Sequence, residues 1–157
     1  GRHPLALLRE QLAARRLAWA RRVLFAAPDY LERHGRPDTP ADLARHDCTI
    51  RTNAIHPRLW RFQSPGQQEI AVAVKGRIET NRADAANQAV ACGMGIGLAM
   101  LWQIRPLLEA GKVERLLTAY EPTPVPLNAL WVRAPRLPAR TRRFIDFLAE
   151  RFADEWL

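Results

Sequence analysis

The stretch Val90–Met100, VACGMGIGLAM, places three glycines at alternate positions. Glycines so spaced can cradle a phosphate, but that chemistry needs an order. A strand must lead into the glycines and a helix must follow, so that the helix N-terminus faces the anion. Here the order is reversed. Arg82–Cys92 (RADAANQAVAC) is Ala-rich and free of Gly and Pro, which predicts a helix. Ala85, Ala86, Ala89, Val90 and Ala91 mark its apolar face. Gly93 falls where a left-handed C-terminal cap belongs, and Ile96–Leu101 (IGLAML) suits a short buried strand. The glycines therefore close a helix and open a strand, which argues against a nucleotide loop. Gly97 keeps its interest, because a strand glycine lets another backbone or a ligand approach.

No other residue set points to catalysis. Cys92 sits at the C-terminus of the expected helix, where the dipole raises a thiol pKa, so a buried inert thiol is expected. His46-Asp47-Cys48 holds the residue types of a nucleophilic triad, yet neighbours in sequence do not converge on one point. His34 and His46 fall at helix ends, where a cation is favoured, and read as caps. His3, His34, His46 and His56 show no metal-ligand spacing. The chain reads as a non-enzyme with no cofactor.

The 157 residues, 48% hydrophobic and 25% charged, suffice for one domain with a core of its own. No apolar run approaches the roughly 20 residues that span a bilayer, so no membrane contact is expected. The opening GRHPLALLREQL has no signal-peptide layout, since Arg9 and Glu10 break its apolar stretch. It also lacks an initiator Met, which fits a fragment. Two cysteines, Cys48 and Cys92, are too few for a disulfide framework and imply a reduced, cytoplasmic setting. The net charge of +8 is almost all arginine, Lys75 and Lys112 being the two lysines. Basicity raises nucleic-acid binding as a possibility. Arg15, Arg16, Arg21, Arg22, Arg133, Arg136, Arg140, Arg142 and Arg143 are dispersed, however, and do not interleave with aromatics as a stacking platform does. A solvated basic face is the simpler reading.

The elements follow from local signals. LALLREQLAARRL is helical by composition. Val23–Ala26 is a buried strand. Pro28 opens a short helix that Gly35 closes, and Thr39-Pro40 opens a second over Pro40–Arg45. CTIRT, RLWRFQ, EIAVAV and RIETN read as strands, with SPGQQE as a hairpin turn and Gly76 as a bulge or kink. IRPLLEAGKVERLL is a helix ended by Gly111 and then a strand, and PLNALWVRAP is a further strand. PARTRRFIDFLAERFADEWL is an amphipathic helix with Phe144, Ile145, Phe147, Leu148 and Phe152 on one stripe. Strands alternating with helices imply an α/β fold with a covered sheet.

RRVLFAAPDYLERHGRPDTPADLARHDC, WRF, VKGRIETNRADAANQAVACGMGIGLAM, LLEAGKVERLL and RTRRFIDFLAERF together resemble, in order and spacing, the sensor domain of LysR-type bacterial transcriptional regulators, over about Leu12–Arg151. The resemblance implies an α/β, periplasmic-binding-protein-like sensor domain with lobe II complete and lobe I partial. Residues 1–27 would be a remnant of lobe I and a crossover strand, 28–130 lobe II, and 131–157 the second crossover strand with the C-terminal helix returning to lobe I. It implies a small-molecule effector in the interlobe cleft, with organic acids and aromatic metabolites as candidate classes. DNA would be contacted only through a winged helix-turn-helix absent from this chain, and a homo-oligomer is implied. With half of lobe I missing, the Phe-rich stripe needs cover from a partner chain or from Leu5–Leu17.

On this resemblance the effector-binding residues are Arg51 and Thr52 at one strand end, Thr80 and Asn81 at another, and Gly93, Met94 and Gly95 as exposed backbone. Each has a plainer role as well: Asn81 as a helix cap, Thr52 and Thr80 as strand residues, Arg51 as a surface cation. A standalone solute-binding module is the alternative function. A third reading, a DNA-binding protein in its own right, would need a reading helix that the sequence does not show.

Overall fold

In the computed structural model, residues 11–153 are described. The chain runs β1 (Leu12–Ala20), β2 (Arg22–Ala26), α1 (Pro28–His34), a 3₁₀ turn (Pro40–Arg45), β3 (Ile50–Arg51), β4 (Leu59–Gln63), β5 (Glu69–Ala73), β6 (Glu79–Thr80), α2 (Ala83–Ala91), β7 (Gly97–Met100), α3 (Leu101–Glu109), β8 (Glu114–Leu116), a 3₁₀ turn (Thr118–Tyr120), β9 (Val125–Val132) and α4 (Ala139–Phe152). These form two compact units, one of Arg21–Pro124 and one of the described residues on either side of it. Among the described residues no helix is long and apolar enough to cross a membrane.

The smaller unit corrects one expectation. Leu12–Ala20 is not helical; it pairs antiparallel with β9, from Leu12 opposite Val132 to Ala20 opposite Val125. Its Ala, Arg and Leu favour a helix in isolation, but ladder bonds to a distant strand override intrinsic propensity. α4 packs on β1, and Arg15 Nη1 meets Asp146 Oδ1 at 2.5 Å. Ile145 is buried, while Phe144 and Phe147 remain 60% and 58% exposed. Of the segment expected to cover them, Leu12–Leu17 belongs to β1 and the part before Gln11 lies outside the described residues.

In the larger unit β2 is the middle strand of β7–β2–β8. It is apolar on both faces because both are covered. Leu24 and Ala26 join Leu43, Ile50, Phe62 and Ile96 on one side, whereas Val23 and Phe25 join Val90, Ala99 and Ile104 on the other. The glycines of the Val90–Met100 stretch serve this packing. Gly93 adopts φ +79° and closes α2, donating to Val90 O at 2.9 Å while Met94 donates to Ala89 O at 3.1 Å. A Cβ at Gly95 would lie 2.5 Å from Asp47 O, and one at Gly97 would lie 2.8 Å from both Phe25 Cε1 and Val90 Cγ2. Close approach is what Gly97 provides, and the group that approaches is a phenyl ring.

His46 occupies the C-cap of the Pro40–Arg45 turn, its N–H donating to Leu43 O at 3.1 Å, and His34 falls in the last turn of α1, as expected, but their rings do other work. The His34 ring stacks on Tyr30 with centroids 4.6 Å apart. The Tyr30 hydroxyl shares a hydrogen bond of 2.8 Å with His46 Nδ1 and accepts from Asp47 N–H at 3.2 Å. Burial, reinforced by His34 and Arg45, holds the His46 pKa below its ordinary value, so the ring is neutral and its charge stabilises no helix end. The unfolded chain takes up this proton near pH 6.5 and the folded chain only below that. Stability is therefore lost as pH falls through about 6.5 toward the folded value. Urea midpoints compared at pH 7.5 and 5.5 should drop more for the wild type than for His46→Gln; equal drops would count against the depressed His46 value.

Candidate functional site

The segment Cys48–Thr52 threads between two others. The N–H groups of Cys48, Ile50 and Thr52 donate to the carbonyls of Lys75, Ile78 and Thr80 at 2.9, 2.9 and 3.0 Å, while Thr49 N–H turns the other way to Ile96 O at 2.9 Å. Extended backbone sends successive side chains to opposite faces. Thr49, Arg51 and Asn53 accordingly line one cavity, of about 690 Å³. Ile50 and Thr52 line a second hollow, of about 520 Å³.

The first cavity is unusual in its charge. Arg22, at the start of β2, and Arg51 contribute two guanidinium groups, and Trp60, Leu98 and Met100 form an apolar wall. No Asp or Glu among the described residues lines it. Arg22 Nε, Thr49 Oγ1 and Arg51 Nε are buried and make no hydrogen bond. Arg51 reaches one neighbour, donating from Nη2 to Asn53 Oδ1 at 3.1 Å, and Arg61 at the rim pairs with Glu69 outside the cavity. Burial lowers the Arg22 pKa, yet a guanidinium does not deprotonate in proteins. Its charge stays, and burial becomes an electrostatic cost that an anion would relieve. Donors of this kind converging inside an apolar wall suit a carboxylate or another planar oxyanion.

The residues singled out from sequence do not all meet here. Arg51 lines the cavity, whereas Thr52, one residue on, faces the second hollow. Thr80 pairs with Arg51 across the parallel β3–β6 ladder. Its carbonyl serves Thr52, and its hydroxyl oxygen accepts from Arg82 N–H at 3.1 Å. Arg82, not Asn81, occupies the N-cap of α2, and Asn81 is exposed beside it. Gly93, Met94 and Gly95 lie at the other end of α2, roughly 13 Å along its axis. There Arg33 Nη2 donates to Gly93 O at 3.2 Å. None of these three lines the 690 Å³ cavity.

Sequence reading missed Arg22, Thr49 and Trp60. The usable signal was parity: in CTIRT, Thr49 and Arg51 share a face and Thr52 does not. Burial of the thiols corrects one expectation, that Cys92 is buried. Cys92 is exposed and Cys48 is buried. Cys92 stands two residues past the buried Val90, about 200° around the helix and so on its outer face. Cys48 is pushed up to about 12 by burial and stays protonated at neutral pH, which leaves no nucleophile in His46-Asp47-Cys48.

Comparison with known proteins agrees with this architecture. The chain is 34% identical over 101 residues to the transcriptional activator TtdR of Escherichia coli O6:K15:H31, a match covering 64% of this chain and 32% of TtdR. It is 33% identical over 133 residues to the probable transcriptional regulator LtrA of Klebsiella pneumoniae, covering 83% of this chain and 43% of LtrA. It thus spans between a third and a half of these relatives. The solved regulatory domain of CrgA, a LysR-type regulator from Neisseria meningitidis, superposes with a TM-score of 0.77 at 24% identity, over 97% of this chain and 72% of that one. The LysR substrate binding domain family matches residues 1–153, nearly the whole chain, and to that family this protein belongs.

Proposed function

We propose that this chain is the effector-sensing part of a LysR-type transcriptional regulator and that the 690 Å³ cavity of the Arg21–Pro124 unit seats a small organic acid. On this reading that unit corresponds to lobe II. The observation that carries it is that Arg22, Thr49 and Arg51, each with a buried polar atom that makes no hydrogen bond, line one cavity that no carboxylate of the described residues shares. The fourth such group, Arg115 Nε, belongs to a side chain already paired with Glu121. Of the residues chosen from sequence, Arg51 keeps a direct role in holding the acid, and Thr80 supports it through the β3–β6 ladder. The same reading extends to a full-length regulator that contacts DNA through a winged helix-turn-helix and associates with like chains.

A ligand that binds only the folded state raises the melting temperature, by about 2.7 kcal/mol of stabilisation at a hundredfold excess over Kd. Thermal denaturation of this chain with a panel of small carboxylic acids, each beside its uncharged amide, tests the reading. Acids from the panel should raise the melting temperature and their amides should not. Equal shifts from acid and amide, or no shift from any acid, would reject an anion-binding cavity.

A further inference from the structure

Between β3 and β4 the chain makes the turn Thr52–Arg58. Ala54 N–H donates to Arg51 O at 3.2 Å and Leu59 N–H to His56 O at 3.2 Å, so the turn is pinned at both ends. At its tip Ile55 is 92% exposed, the highest value among the exposed large apolar side chains of the described residues. A branched side chain held so far into water forgoes most of the stabilisation its burial would bring. Yet Ile55, with His56 and Pro57, lines the rim of both hollows. The same turn is tied to the anion seat, because Asn53 Oδ1 accepts from Arg51 Nη2.

We propose that Asn53–Pro57 is a strap that folds over the bound acid, with Ile55 as a specificity-determining residue, so that the effector carries an apolar body beside its anionic group. This rests on the anion seat proposed above. Arg22, Thr49 and Arg51 take the carboxylate; Trp60 and Met100 lie along the body on one side, and Ile55 closes the other. Asn53 makes closure conditional on charge. Its Oδ1 accepts from Arg51 Nη2 at 3.1 Å, so an anion engaging Arg51 steadies the root of the strap. A ligand with charge but no body leaves Ile55 in water, and a body without charge leaves the two guanidinium groups unmatched.

Calorimetric titration of the chain with acetate, butyrate and hexanoate separates the parts. In the wild type, affinity should rise about fourfold for each methylene, the increment expected for full burial of a CH₂ group. In Ile55→Ser, at a solvent-exposed position where folding is not at risk, acetate affinity should stay within about twofold of wild type while the gain per methylene falls to about twofold. Equal wild-type affinity for all three acids, or an undiminished gain in Ile55→Ser, overturns the strap and leaves the anion seat standing. No binding of any of the three overturns the seat, and the strap with it.

Discussion

Replacing Arg22 by Met should strongly weaken carboxylate binding and, at the same time, raise the melting temperature of the ligand-free chain. The two effects share a cause. Arg22 Nε is buried without a partner, and no carboxylate lines the cavity it faces. Removing a charged donor from such a place relieves an uncompensated desolvation cost, about 1 kcal/mol or more, while Met keeps the length and apolar packing of the arginine stem. In the proposed complex the Arg22 guanidinium pairs with the ligand anion. Truncating one side of a buried charge pair costs about 2–5 kcal/mol, which weakens binding by roughly 30-fold to several thousand-fold. Calorimetric titration and thermal denaturation of the same sample read both quantities. A variant that loses stability without ligand would show that Arg22 supports the fold and is not strained by it.

The second large effect lies in the core. Phe25→Ala should cost about 3–5 kcal/mol in urea denaturation, the range for deleting a buried aromatic ring. Phe25 is fully buried and packs with Val23, Val90, Ala99 and Ile104. Its ring also explains Gly97. Gly97→Ala should cost about 1–3 kcal/mol by overpacking, since the added methyl would sit 2.8 Å from Phe25 Cε1. In a Phe25→Leu background the methyl loses the ring contact while Val90 Cγ2 stays at 2.8 Å, so its added cost should shrink without vanishing; contacting residues couple in this way. Strictly additive costs would mean that the clash is relieved elsewhere.

Much of the larger unit was legible in the sequence because its signals are short-range. Pro28 and Gly35 bracket α1, Thr39-Pro40 opens the 3₁₀ turn, and Gly93 ends α2. β1 was not legible. Its strand character is imposed by β9 at the far end of the chain, and Ala-Arg-Leu composition points the other way. The candidate site was half legible. Arg51, named from the resemblance, lines the cavity, but Thr52, named with it, does not, because neighbours on a strand face apart. Arg22 was counted with the dispersed surface arginines. Only the three-dimensional path of β2 shows that its guanidinium turns inward instead of out to water.

The contrast between the two thiols has a practical side. One is shielded and held in its protonated form, the other open to solvent at the end of α2. A maleimide dye or spin label added to the untouched polypeptide would attach at Cys92 alone. The molecule thus comes with a single addressable handle, and spectroscopy of ligand-dependent motion can begin without engineering a cysteine into it.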